Sequence, residues 1–206
     1  MSPEEELVGL MCAYLDGLPG AEDFLAALRK VSGTPEPFES TGSLDPITQN
    51  DWAATVTARG RPLLDAMNRH LEHFSWWYPY DGDPRAGRGF GDGATANAVV
   101  GPWAPLKCDH VGAGFFALNQ GIEYADHAHA PDEIYVPLAG HARFCCEAYG
   151  EMHAGPDTVI YQPSWQWHSM ETPDSPVLIL WVWIGEGLGE MPVFRGEDGM
   201  RVEVDL

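Results

Sequence analysis

The stretch Gly121–Gly140, GIEYADHAHAPDEIYVPLAG, decides how this chain is read. It carries His127, His129 and Glu133 in the spacing H-x-H-x-x-x-E, with a glycine at each end. Thirty-five residues after Glu133 comes His168, at the end of PSWQWH. Three imidazoles and a carboxylate make a ligand set for one divalent transition metal: Zn, Fe, Mn, Ni or Co. Four such ligands leave positions free for a substrate, which marks a working site more than a closed structural one. Alternate residues of a strand share a face, so His127 and His129 point the same way. Glu133 and Tyr135 keep that parity if the chain stays extended past Pro131, while Ile134, Val136 and Leu138 take the other and read as packing. A polar loop with surface histidines is the bland alternative; Glu133, the two glycines and the later His168 weigh against it.

Gly121–Gly140 fits the first cupin motif, G-x5-H-x-H-x3-E-x6-G, at every defined position, so the chain resembles the cupin superfamily. Pro163–His168 resembles the P-x-G-x-x-H of the second motif, with Trp165 where glycine is usual, and the turn before His168 is expected to differ in shape. The resemblance implies a mainly β fold, a double-stranded β-helix or jelly-roll barrel, with an α-helical N-terminal segment. The H-x-H-x3-E-x-Y core, the late histidine and the aromatic-rich C-terminal strand look more narrowly like the cupin-type dimethylsulfoniopropionate (DMSP) lyases, and this likeness covers most of the chain. It implies cleavage of DMSP to dimethyl sulfide and acrylate. It also implies Tyr135, two residues after Glu133, as the base, with Tyr124 as a second active-site tyrosine and Trp183 in the pocket wall. Some members have histidine at the third ligand position, where this chain has Glu133. Tyr161 is a further substrate-binding candidate, although strand tyrosines are common in cores.

The chemistry gives these residues roles. DMSP has a carboxylate, an acidic proton on the adjacent carbon and a sulfonium leaving group one carbon further. A base must come within ~3 Å of that proton, directly or through one water. A free phenol has a pKa of ~10 and needs a nearby cation to ionise at neutral pH. Trp76, Trp77, Trp165, Trp167, Trp181 and Trp183 exceed what a simple core needs, and an indole face attracts a sulfonium by roughly 0.5–2 kcal/mol. Packing is the default role for most of them. Two other classes remain open: a cupin dioxygenase with a 3-His/1-Glu iron site, and a non-catalytic cupin that binds a small ligand.

The rest of the sequence bounds the answer. A net charge of −20 over 206 residues argues against nucleic acid, whose phosphates need basic patches; it serves solubility or a field that favours a cationic substrate, and the charge alone does not choose between them. No apolar run approaches the ~20 residues of a membrane span, and the acidic start MSPEEE is unlike a signal peptide, so a cytoplasmic protein is expected. Cys12, Cys108, Cys145 and Cys146 lack metal or redox spacing and read as reduced thiols. Helical periodicity dominates before residue 100: a capping box at Ser2–Glu5, then Leu7 to Leu18, Phe24 to Val31 ended by Gly33, and Leu63 to Phe74. Tyr80–Gly93 reads as a turn-rich loop. Strands are expected at Ala113–Asn119, Ile122–His127, Glu133–Leu138, His141–Tyr149, Thr158–Gln162, Val177–Ile184 and Met200–Val204. The division is thus a helical segment, residues 1–100, packed on a barrel, residues 101–206, with the helices covering the barrel or building a homodimer interface.

Overall fold

The computed structural model describes residues 1–36, 45–196 and 201–203. Its helices are α1 (Pro3–Leu15), α2 (Glu22–Leu28), α3 (Asp45–Thr48), α4 (Arg61–Arg69) and α5 (Phe90–Gly93). The strands are β1 (Ala94–Ala96), β2 (Val111–Leu118), β3 (Glu123–Ala128), β4 (Asp132–Gly140), β5 (Ala142–Cys146) and β6 (Gly150–Ala154). They continue with β7 (Ile160–Gln162), β8 (His168–Glu171), β9 (Val177–Ile184), β10 (Val193–Arg195) and β11 (Arg201–Glu203).

Two antiparallel sheets build the barrel, a five-stranded one ordered β1-β2-β9-β4-β7 and a six-stranded one ordered β11-β10-β3-β8-β5-β6. The five-stranded sheet is buried on both faces. Leu178, Leu180 and Val182 of β9 join Ile134, Val136 and Leu138 of β4 in one core with Leu7, Met11, Leu15 and Leu28 of the N-terminal helices. Val177, Ile179 and Trp181 of β9 join Tyr135, Phe116, Phe144 and Met170 in a second core between the sheets. The period-2 pattern of β4 therefore sorts packing residues to the helices and chemistry to the barrel interior.

Local signals account for the helix starts. Ser2 caps α1 reciprocally: the Glu5 N–H donates to Ser2 Oγ at 3.2 Å, and the Ser2 N–H donates to Glu5 Oε2 at 2.8 Å. The expected second helix ends at Leu28, before Gly33, and α4 ends at Arg69, so that Leu71 and Phe74 pack from the turn beyond it. Of the run expected as one strand over His141–Tyr149, β5 takes Ala142–Cys146 and a turn follows, before β6 returns antiparallel to β5. Short β1, β8 and β10 carry no pattern that the sequence reading used. For the strand expected at Met200–Val204, β11 covers the middle, and both ends lie outside the described residues. Tyr80–Gly93 is more regular than expected, with single 3-10 turns at Pro79–Gly82 and Pro84–Ala86 before α5. Its path lies hard against β3: a Cβ on Gly87, whose φ is 120°, would stand 2.2 Å from the Glu123 carbonyl oxygen. Glycine alone tolerates both that backbone and that approach. Among the described residues, no helix is long and apolar enough to cross a membrane.

Candidate active site

His127 and His168 face each other directly across the β3–β8 pair, which closes the long sequence gap between them. His129 follows β3, and Glu133 lies near the start of β4, opposite Trp183 of β9. Each imidazole bonds a backbone carbonyl through Nδ1: His127 to Ala125 at 2.9 Å, His129 to Pro131 at 3.0 Å and His168 to Gln166 at 2.8 Å. A carbonyl can only accept, so each Nδ1 carries the proton, and in the neutral ring Nε2 presents its lone pair. The three rings converge, with one donor nitrogen from each lying within 4.8 Å of the others. His127 Nε2 and His168 Nε2 are buried without a hydrogen-bond partner among the described residues. Glu133 Oε2 lies 3.0 Å from His129 Nε2 and 3.6 Å from His168 Nε2.

Buried lone pairs left unmatched are costly, and a carboxylate oxygen facing imidazole lone pairs compounds the cost. One cation resolves both, so the donor set fits a divalent metal. Burial, and then the His168 and His129 rings, hold His127 well below the ordinary histidine value; burial lowers His168 too, against the pull of Glu133. Burial works to raise the Glu133 carboxyl, but attraction to the His129 and His168 rings in their protonated form outweighs it and holds it below the usual range. Neutral imidazoles and an ionised carboxylate are the states that bind metal.

Beside this cluster is a cavity of about 120 Å³ whose wall includes Glu133, Tyr135, Tyr124, Tyr80, Trp181 and Trp183. Trp77, Trp103 and Phe116 complete the aromatic lining. Trp183 holds Glu133 from behind: its indole N–H donates to Glu133 Oε1 at 2.5 Å, and its ring lies 4.6 Å from that of His129. Tyr124 reaches the cavity because the β3–β8 register shifts between Tyr124 and His127. Strict alternation would separate residues three apart to opposite faces; the bulge puts both inside. Their rings stack at 3.8 Å. Tyr80 closes the group, with its hydroxyl 2.6 Å from that of Tyr124 and its φ at 61°. A bulky residue in left-handed backbone is costly and persists where its surroundings fix it, as they often do at active sites. Burial raises all three phenols above their ordinary value, and Glu133 adds to the effect.

Comparison with known proteins decides the family. The family model for dimethylsulfoniopropionate lyase matches residues 40–179. The DMSP lyase DddQ of Ruegeria pomeroyi is 32% identical over 153 residues, which are 74% of this chain and 75% of that protein. The chain belongs to the DMSP lyase family. Membership makes it a carbon–sulfur lyase by class. The crystal structure of DddQ from Ruegeria pomeroyi superposes with a TM-score of 0.71 at 25% identity, over 91% of this chain and 98% of that one. A chain from the crystal structures of the DMSP lyases RdDddP and RnDddQII gives a TM-score of 0.76 at 22% identity, over 92% and 96% of the two chains. A cupin-2 domain from Rhodospirillum rubrum gives 0.50 at 14% identity, over 80% and 87%, and with the two facing sheets it supports the cupin jelly roll.

In this member of the DMSP lyase family the structure brings together His127, His129, His168, Glu133, Tyr135, Tyr124 and Trp183. It does not bring Tyr161 to them. Tyr161 pairs with Ile134 across β7 and β4, on the helix-facing side, where it is 45% exposed, donates its hydroxyl hydrogen to Asp132 at 2.7 Å and packs edge-on against Phe24. Trp165 takes φ 57°, the left-handed conformation for which glycine is the usual choice, and its N–H donates to the His129 carbonyl at 2.8 Å. Tyr80, Trp103 and Phe116 also line the cavity, and none of them stood out in the sequence. A bulky residue within the turn-rich run Pro79–Asp83 was the available signal for Tyr80.

Proposed function

We propose that this enzyme cleaves DMSP to dimethyl sulfide and acrylate by metal-dependent β-elimination, as a cytoplasmic lyase. The observation that carries the reading is the convergence of three lone-pair-bearing imidazoles beside a small aromatic cavity that also holds buried tyrosines. His127, His129, His168 and Glu133 would hold the metal. When bound, a divalent cation supplies positive charge that favours an ionised phenol and offsets charge developing next to the substrate carboxylate.

Tyr135 takes the proton from the carbon next to the carboxylate. The released C–H pair forms the new carbon–carbon double bond, and the C–S pair leaves on sulfur as neutral dimethyl sulfide. The leaving group needs no proton, so no separate acid is required. Tyr124 is the second candidate base; its hydroxyl is shared with Tyr80, whereas Tyr135 stands two residues from Glu133 on the same face of β4. Burial raises the Tyr135 phenol, with Glu133 and Tyr80 adding to it, so the ionised fraction and the turnover rise with pH along that limb. Trp183 fixes Glu133, and the aromatic walls face the sulfonium and exclude water. Headspace measurement of dimethyl sulfide from purified, metal-loaded protein with DMSP, run with and without oxygen, tests the reading. Equal release in both supports elimination, and oxygen-dependent product would favour the dioxygenase chemistry instead.

A further inference from the structure

Trp103 is 41% exposed, yet it forms part of the cavity wall. The chain makes specific room for it. A Cβ on Gly101, whose φ is 147°, would lie 2.0 Å from the Trp103 ring, and one on Gly112 would lie 3.4 Å from it and 3.2 Å from Trp181. Gly112 sits on β2 opposite Trp183. The Trp103 ring meets Trp181 edge-on with centroids 6.3 Å apart, and lies 6.3 Å from Trp183 at 46°. The loop that carries it is pinned at its base. The Gly101 N–H donates to Leu106 O at 3.1 Å, the Cys108 N–H to Gly101 O at 3.4 Å and Lys107 Nζ to Pro102 O at 3.3 Å. A fixed loop, Gly101 and two partner indoles hold one half-exposed indole in the cavity wall.

Glu133 gives the cavity its polar end, with the His129 imidazole bonded to that carboxylate, and the other lining is almost wholly aromatic or apolar. Taking the proposed elimination as the reaction, the substrate carboxylate goes to the polar end and the methylated sulfonium to the aromatic one. We infer that Trp103 is a specificity-determining wall that closes over the onium head and selects for its positive charge. An indole face attracts a cation and gives a neutral group of the same shape no such term.

The test uses two carboxylates of one shape, 3-(trimethylammonio)propanoate and 4,4-dimethylpentanoate, which differ in the charge of the head. Calorimetry with metal-loaded wild type is expected to show tighter binding of the cation. Trp103→Leu should lose about 2- to 30-fold of that preference, the span of a cation–π contact, and Trp103→Phe should keep part of it. The KM for DMSP should rise in Trp103→Leu while kcat changes little. An unchanged preference in Trp103→Leu, or a fall in kcat at constant KM, overturns the assignment. Thermal melts of both variants report folding, and Trp103→Phe carries the comparison if Trp103→Leu melts early. A wild type that releases no dimethyl sulfide would sink the elimination itself, while the calorimetry would still decide whether Trp103 reads charge.

Discussion

The five-stranded sheet has two buried faces built from the same two strands, and their contents differ. Toward the helices, Ile134, Val136, Leu180 and Val182 interlock with Leu7, Met11 and Leu15. Toward the barrel interior, Glu133, Tyr135, Trp181 and Trp183 surround a cavity beside three histidines. One face consists of apolar volume and contributes stability. The other buries a carboxylate and phenols whose burial opposes ionisation, and on the proposed function a cation and a substrate would give it its use. The helices make this division workable: they cover the outer face so that the inner one need not be packed solid.

The comparison predicts that substitutions on the inner face act on metal and turnover, and those on the outer face act on stability. The largest effect is expected for the His127→Ala, His129→Ala double variant. It removes two of three converging donors, so metal content should fall to background and activity with it, read by elemental analysis beside the dimethyl sulfide assay. Full metal occupancy would refute the site. Next comes Tyr135→Phe, which removes one hydroxyl. It should retain metal and lose about 10²- to 10⁴-fold in turnover, the range for a positioned proton-transfer group. A near wild-type rate there, beside an inactive Tyr124→Phe, would move the base to Tyr124. Trp183→Phe keeps a ring in the wall but removes the N–H that holds Glu133 Oε1. Metal affinity should weaken by roughly 10- to 100-fold, as for other groups that orient ligands. A competition titration with a chelator measures it.

Ile134→Ala is the matching outer-face change, one residue from Glu133 and fully buried among the helix contacts. Its expected cost is about 2–5 kcal/mol of stability from lost burial and the cavity left behind. The folded fraction should keep wild-type kcat and metal content. A variant that melts normally but turns over slowly would show that the two faces are not independent.

Much of this division was legible in the sequence because period-2 alternation works on β4, where Glu133 and Tyr135 separate from Ile134 and Val136 by parity alone. It failed where the backbone breaks the period. Tyr124 and His127 share a face only through the bulge between them, which residue types do not announce. Trp103 and Tyr80 come from loops, where no periodicity exists to read; Gly87 closely approaches Glu123, distant in sequence, and Gly101 makes room for Trp103 only two residues on. Short strands such as β1 and β10 take their conformation from pairing with neighbours more than from their own three residues.

Tyr161 gives the smallest effect and the finest test. The motif places it next to Gln162, and Gln162 pairs with Glu133, so Tyr161 must fall on the opposite face with Ile134. Its hydroxyl is spent on Asp132, which also accepts the Ser164 N–H at 3.0 Å and so ties the loop before His168 to the start of β4. Tyr161→Phe should therefore leave kcat, KM and metal content near wild type. Its cost should be about 1 kcal/mol or less, the net worth of one exposed hydrogen bond. Denaturant melts beside steady-state kinetics measure both. If KM for DMSP instead rises severalfold at unchanged stability, Tyr161 contacts substrate after all, and the parity argument that separates the two faces fails at β7.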